Sequence, residues 1–170
     1  PILSNPAATD AAKDLMTFLV SSYGAKTISG QTEYMDYGSN KTGLRDFNKV
    51  VELTGGAAPA ITAFDFIDYS SSRVACGAKH GNLSEDMIAA HKDKNVILAP
   101  LWHWNAPTKL IDTNCSGSGN TAWYSGFYST ATTFDLKAAL ANPNGADYQA
   151  LLADIDTISA ELKKFADADI

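Results

Sequence analysis

Asn95-Val-Ile-Leu-Ala-Pro-Leu-Trp-His-Trp104 is apolar for most of its length and gains polar groups only at its carboxyl end. Such a run reads as a strand buried on both faces, the habit of a parallel sheet covered by helices. The elements that such a sheet needs extend outward on both sides. Upstream, Ser84 caps a helix holding Met87, Ile88 and His91, with Glu85 and Asp86 in a first turn whose dipole favours acids. Before it, Pro59-Ala-Ile-Thr-Ala-Phe-Asp-Phe66 forms a second strand whose polar end begins at Asp65. Phe47, Val50, Val51 and Leu53 mark a helix stopped by Gly55-Gly56, and Ala25-Lys-Thr-Ile-Ser-Gly30 a short first strand. A polar loop from Gln31 to Thr42 holds Tyr34 and Tyr37. The first helix starts at Thr9 or Asp10, sets Leu15, Phe18, Leu19 and Ser22 on one side, and closes at Gly24.

Downstream of His103 runs a long loop rich in Thr, Ser, Gly, Asn and aromatics. Thr133 then caps a short helix from Phe134 to Leu140, which Asn142-Pro-Asn-Gly145 breaks. Tyr148, Leu151, Leu152, Ile155, Ile158, Leu162 and Phe165 recur at helical spacing, with Asp154, Asp156, Glu161, Lys163 and Lys164 on the other face. The order is α, β, α, β, α, β, α, α, which argues for a parallel sheet with helices outside. Helix-to-strand segments are short, whereas strand-to-helix segments are long and hold the polar and aromatic residues. In α/β barrels those second loops build the active site. Chemistry is therefore expected near Gln31, from Asp65 to Arg73, and from His103 to Tyr128.

A chain of 170 residues suits a single domain, 1–170, and is short for two. Its 45% hydrophobic and 19% charged content is a globular balance. Thirteen Lys+Arg against 19 Asp+Glu leave a net charge of −6 without a basic stretch, which speaks against a nucleic-acid partner. No apolar run nears the ~20 residues that span a bilayer, and no signal peptide precedes Pro1, so no membrane partner is expected. Cys76 and Cys115 lie in polar loops without His or Cys at zinc-ligand spacing; by themselves they read as two unpaired thiols or as a pair. Acceptor triplets at Asn40, Asn82 and Asn114 lean towards secretion.

Three constellations carry candidate chemistry. Asp65, Asp68, Tyr69 and Arg73 cluster where the second strand ends: either a polar ligand wall for sugar hydroxyls, or an Arg–Asp tie that holds the loop to the rim. Leu101-Trp-His-Trp-Asn-Ala-Pro107 ends the third strand with aromatic planes beside hydrogen-bonding groups, the usual receptor chemistry for sugars. At period two, Trp102 and Trp104 point one way and His103 the other. Trp123-Tyr-Ser-Gly-Phe-Tyr-Ser-Thr-Ala-Thr-Thr-Phe-Asp135 is either a small core beneath the loop or, through Trp123 and Phe127, a cleft lining. A phosphate-binding glycine loop, a Gly-x-Ser-x-Gly elbow and metal spacing among His80, His91 and His103 are all absent from the sequence.

Ile28-Ser-Gly-Gln31, the stretch from Pro59 to Ser70, Leu101 to Pro107, Trp123 to Leu136 and the final helix together resemble the amino-terminal half of glycoside hydrolase family 26, best known for endo-β-1,4-mannanases. The resemblance covers nearly the whole chain in family order. It implies strands 1–3 of a (β/α)8 TIM barrel and retaining, endo-acting hydrolysis of β-1,4-mannan without metal or organic cofactor. β-1,3-Xylan and mixed-linkage β-glucan are the alternative substrates. By the family pattern His103 resembles the third-strand histidine that holds the sugar at the cleavage point. Asp65, Asp68, Tyr69 and Arg73 would line the cleft floor on the glycone side; by position Trp104 belongs to or flanks the cleft, and Trp123 and Phe127 are further candidates for its lining. Retaining hydrolysis needs two carboxyl groups about 5–5.5 Å apart. The family's acid and nucleophile are glutamates on strands four and seven, so both are expected beyond residue 170. Glu33, Glu52, Glu85 and Glu161 fall in a loop and helices rather than at strand ends.

Three functions follow for comparison: a hydrolase completed by the remainder of the barrel, a non-catalytic carbohydrate-binding half-barrel, and a small α/β enzyme using Asp65 and Asp68. Strands two and three should be neighbours, which sets the loops after them side by side. A Cys76–Cys115 disulfide is therefore expected, as suits a secreted, extracellular protein.

Overall fold

Three parallel strands lie side by side in chain order: β1 (Gly30–Thr32), β2 (Ile61–Asp65) and β3 (Ile97–Leu101). The computed structural model describes residues 2–33, 44–111, 113 and 126–170. Gly30 stands opposite Ile61 and Thr32 opposite Ala63; on the other side Ile61 faces Ile97 and Asp65 faces Leu101. Side chains alternate across a strand, so Thr62 and Phe64 share one face of the sheet, and Ile61, Ala63 and Asp65 share the other. On β2 the first face is fully buried and the second only half-buried.

Helices α1 (Asp10–Ser22), α2 (Arg45–Leu53), α3 (Ser71–Ala75), α4 (Leu83–Lys94), α5 (Leu136–Leu140) and α6 (Ala146–Asp167) complete the order. The core lies on the Phe64 face. Phe165 of α6 stacks on Phe64 with ring centroids 5.6 Å apart, and Phe66 meets Phe64 edge-on at 5.5 Å. Phe47 of α2, Leu83 and Met87 of α4, Val96 and Ile158 close the cluster. Lys164 ties α6 to α4 by donating to Glu85 (2.7 Å), and it also pairs with Glu161 (2.9 Å). Burial works against the charge of Lys164, but these two carboxylates outweigh it and push its pKa up to about 12.

Several local expectations are corrected. The first strand is Gly30–Thr32 rather than Ala25–Gly30, so Gln31 belongs to the strand and not to the loop after it. Glu33 follows β1 directly and its N–H donates to Ala63 (2.8 Å), which puts a glutamate at a strand end after all. The third strand is half-buried, with Pro100 exposed, because only β2 lies beside it among the described residues. Asn82, not Ser84, stands at the N-cap of α4; the Ser84 hydroxyl donates instead to Glu161 (2.6 Å). Asp135, not Thr133, caps α5 by accepting from the Ala138 N–H (2.9 Å). A 3-10 helix (Phe66–Tyr69) and α3 occupy what reads in sequence as a long loop.

Two helices are capped from a distance. The N-caps of α2 and α3, Leu44 and Ser70, make no side-chain capping bond. Glu33 accepts from the Asp46 and Phe47 N–H groups, both at 2.9 Å, and Asp154 of α6 accepts from the Ser71 N–H at 3.0 Å. An anion at a helix amino terminus satisfies orphan donors and complements the dipole. Both carboxylates are buried, and burial raises both pKa values against the lowering by those N–H bonds.

The sign of that shift sets a testable pH dependence. A carboxyl whose folded pKa is raised stabilises most below its unfolded value, here near 3.8 for Asp154, and loses that contribution as pH rises through the folded pKa. Asp154→Asn keeps an acceptor for Ser71 and cannot ionise. Relative to the parent protein, it should therefore gain stability as pH rises from about 3 to 7. Urea titrations across that range measure the difference; a gap that widens against the variant with rising pH would show a lowered carboxyl.

Candidate functional site

Because Asp65 and Leu101 are register partners, the segments after β2 and β3 leave the sheet at the same end. Asp65, the last residue of β2, uses both carboxylate oxygens there. Its Oδ1 accepts from the Ile67 N–H (2.9 Å), starting the 3-10 helix, and from the His103 backbone N–H (3.1 Å). Its Oδ2 pairs with His103 Nδ1. The His103 side chain is 51% exposed and that of Asp65 20%, so the imidazole stands in front of the acid. Phe127 and the His103 ring meet in a T-shaped contact at a centroid distance of 5.4 Å, and Tyr128 continues the aromatic row at 5.1 Å. Phe127 and Tyr128 are both exposed.

The loop after β3 brings Phe127 to this position through a pinned neck. Ile111 N–H donates to Ala131 (3.0 Å), Thr133 N–H donates to Lys109 (3.0 Å), and Leu110 and Thr132 form an antiparallel bridge. Lys109 and Thr108 (2.7 Å) also bind Asp147 in the first turn of α6, and the Lys109 hydrogen bond, then that of Thr108, holds the Asp147 carboxyl below its usual value. Ahead of the neck, the Ala106 N–H donates to the Gly126 carbonyl (2.7 Å). A Cβ on Gly126 would lie 2.8 Å from backbone atoms of Ala106, so only glycine permits this approach. Phe127 follows directly and is set against His103.

The other expected residues are placed differently. Arg73 donates to Asp68 Oδ1 through Nε (3.2 Å) and Nη2 (2.8 Å), with both side chains only 12% exposed. Tyr69 is buried, stacks on His80 at 3.8 Å, and its hydroxyl is pushed up to about 12 by burial and by the charge of Glu161. It lies in the seam between the 3-10 helix, α4 and α6. β3 ends at Leu101, so period two does not extend to the tryptophans. Trp102 packs against the core and donates to Ser70 Oγ (2.9 Å), while Trp104 meets Phe134 edge-on at 5.6 Å. Trp104 Nε1 and the Oδ1 of the buried Asn105 have no hydrogen-bond partner among the described residues. Trp123, Cys115, Tyr34 and Tyr37 lie outside the described residues. Cys76 ends α3.

Thr108, Lys109 and Tyr128 fall within the stretch from His103 to Tyr128 but are not singled out there by a reading of strand ends, and Asp147 lies outside it. A lone Lys before an apolar pair and an Asp opening a helix are ordinary surface features in sequence. Among the described residues no group of three or more His, Cys, Asp or Glu could hold a metal ion, and no helix is long and apolar enough to cross a membrane.

The profile of glycosyl hydrolase family 26 matches residues 4–170. The chain belongs to glycosyl hydrolase family 26. Within it, the chain is 39% identical over 170 residues to a mannan endo-1,4-beta-mannosidase of Thermothelomyces thermophilus, covering 99% of this chain and 31% of that protein. It is 30% identical over 166 residues to mannan endo-1,4-beta-mannosidase A of Piromyces sp, covering 96% and 25%. The crystal structure of the GH26-CBM35 β-(1,4)-mannanase of Podospora anserina superposes with a TM-score of 0.79 at 42% identity, covering 100% of this chain and 34% of that one. A ruminal GH26 endo-β-1,4-mannanase gives 0.75 at 27%, covering 99% and 33%. The chain thus spans a quarter to a third of the length of these family 26 relatives. Its three parallel strands and their helices are the amino-terminal portion of a family 26 (β/α)8 barrel.

Proposed function

We propose that this chain supplies the glycone-side cleft of a retaining, endo-acting hydrolase of β-1,4-mannan. The observation that carries it is the Asp65–His103–Phe127 grouping at the carboxyl ends of β2 and β3. A sugar presents hydroxyl edges and C–H faces, and an imidazole nitrogen beside an exposed aromatic ring meets both. His103 and Phe127 contact the sugar, joined by Trp123, and Asp65 sits at the same rim. Trp104, Asp68, Tyr69 and Arg73 belong to the same wall; for Asp68, Tyr69 and Arg73 the burial just described favours support over direct contact.

The acid/base and nucleophile lie outside these 170 residues. In support, the four glutamates and the two aspartates singled out at the second strand's end are engaged in other contacts: Asp65 with His103, Asp68 with Arg73, Glu33 with α2, Glu161 with Ser84 and Lys164, Glu85 with Lys164 and Glu52 with Lys49. The segment 1–170 is one part of a single catalytic barrel, and its partner is the remainder of that barrel over the half-buried face of Ile61, Ala63, Ile97 and Ala99. The enzyme is secreted and needs no cofactor. Cys76 joins Cys115 across the loops after β2 and β3; the place of Cys76 at the end of α3, and the absence of a free cysteine among the described residues, favour that pair.

The test is to incubate the protein carrying these residues with β-1,4-mannan, β-1,3-xylan and mixed-linkage β-glucan, following the newly formed anomer by NMR. Short manno-oligosaccharides released first as the β-anomer are expected. Preference for β-1,3-xylan or glucan would contradict the substrate, and the α-anomer would contradict retention.

A further inference from the structure

Resting on that sugar-cleaving role, we infer that Asp65 is a positioning residue that acts through His103, fixing the tautomer in which Nε2 faces the substrate as a hydrogen-bond acceptor. Asp65 stands at the end of a strand paired on both sides. Its carboxylate is held by the Ile67 N–H and the His103 N–H on one oxygen, and meets His103 Nδ1 with the other. Main chain and ring of His103 are thus oriented by one acid, and Phe127 packs against the ring.

An ionised carboxylate only accepts hydrogen bonds, so the hydrogen of a neutral imidazole must sit on Nδ1 and the lone pair on Nε2. Sugar hydroxyls both donate and accept. The tautomer therefore decides the direction of the hydrogen bond that His103 can make: Nε2 takes a hydroxyl hydrogen and leaves that hydroxyl oxygen more electron-rich. With the imidazole half-exposed in front of it, Asp65 reaches the cleft by way of His103 rather than by its own oxygens.

Asp65→Asn tests this without removing the scaffold. The amide oxygen is retained where two backbone N–H groups demand an acceptor, which places the NH2 opposite His103 Nδ1. Nδ1 must then accept, and the ring hydrogen moves to Nε2. Nitrogen-15 spectra of histidine-labelled protein should show His103 protonated at Nδ1 in the parent and at Nε2 in the variant. On β-1,4-mannan, kcat/KM should fall roughly ten- to a hundredfold, the scale of one reversed hydrogen bond. Added to His103→Ala, the same change should cost nothing further. A full loss in the His103→Ala background would overturn the inference and make Asp65 a direct sugar ligand. An Nε2–H tautomer in the parent would also overturn it, whether or not the variant folds. Should the parent cleave no mannan, the substrate assignment fails while the nitrogen-15 spectrum still decides the Asp65–His103 relation.

Discussion

Expressed alone, these 170 residues are expected neither to cleave any β-glycan nor to melt cooperatively as a monomer. β1 and β3 each have one neighbour in the sheet, so their outer N–H and C=O groups lack strand partners among the described residues. Ile61, Ala63, Ile97 and Ala99 face a side of the sheet that is only half-buried. Burying even ~500 Å² of apolar surface is worth roughly 12 kcal/mol at ~25 cal/mol per Å², comparable with the stability of a whole domain. Calorimetry and a mannan assay of the isolated segment check both halves. A cooperatively melting, active monomer would return the catalytic role to Asp65 and Asp68.

The second large effect is in the core. Phe64→Ala should destabilise the protein carrying this chain by about 3–5 kcal/mol, measured by denaturant titration. Phe64 is fully buried between the sheet and α6, stacked on Phe165 and met edge-on by Phe66. Removing the ring deletes two aromatic contacts and leaves a void whose walls are fixed by a strand and a helix. A loss under about 1 kcal/mol would mean that α6 can collapse onto β2, and that the Phe64 face is not the rigid side of the sheet.

Much of this was legible in sequence, and the exceptions share a cause. β2 and α6 announce themselves because a short apolar run turns polar at Asp65 and because apolar residues recur at helical spacing in Ala146–Asp167. β1 does not: Gly-Gln-Thr has no apolar signature, and its place is set by pairing with Ile61, Thr62 and Ala63. α3 is five residues long, too short for periodicity, and takes its cap from Asp154, 83 residues away. Ser84 looks like a cap, but its hydroxyl is claimed by Glu161, 77 residues later. Local propensity cannot see such partners.

At the site, the strand ends drew Asp65 and His103 to one rim, and the β2–β3 register adds that they bind each other. Tyr69 and Asp68 sit in the same polar stretch as Asp65 but turn inward, because the 3-10 helix after β2 rotates successive side chains away from the strand's alternation. Phe127 reaches His103 only because Gly126 lets the loop touch Ala106, a contact without any signal in spacing.

The most direct measurement is kcat/KM on β-1,4-mannan for His103→Ala in the otherwise intact protein, with a melting curve beside it. His103 is half-exposed and outside the core cluster, so the fold should persist with little change in Tm. The rate should fall at least roughly tenfold, the loss of one hydrogen bond made at the cleavage point. An unchanged kcat/KM with an unchanged melt would leave His103 a rim residue and remove the cleft from this end of the sheet.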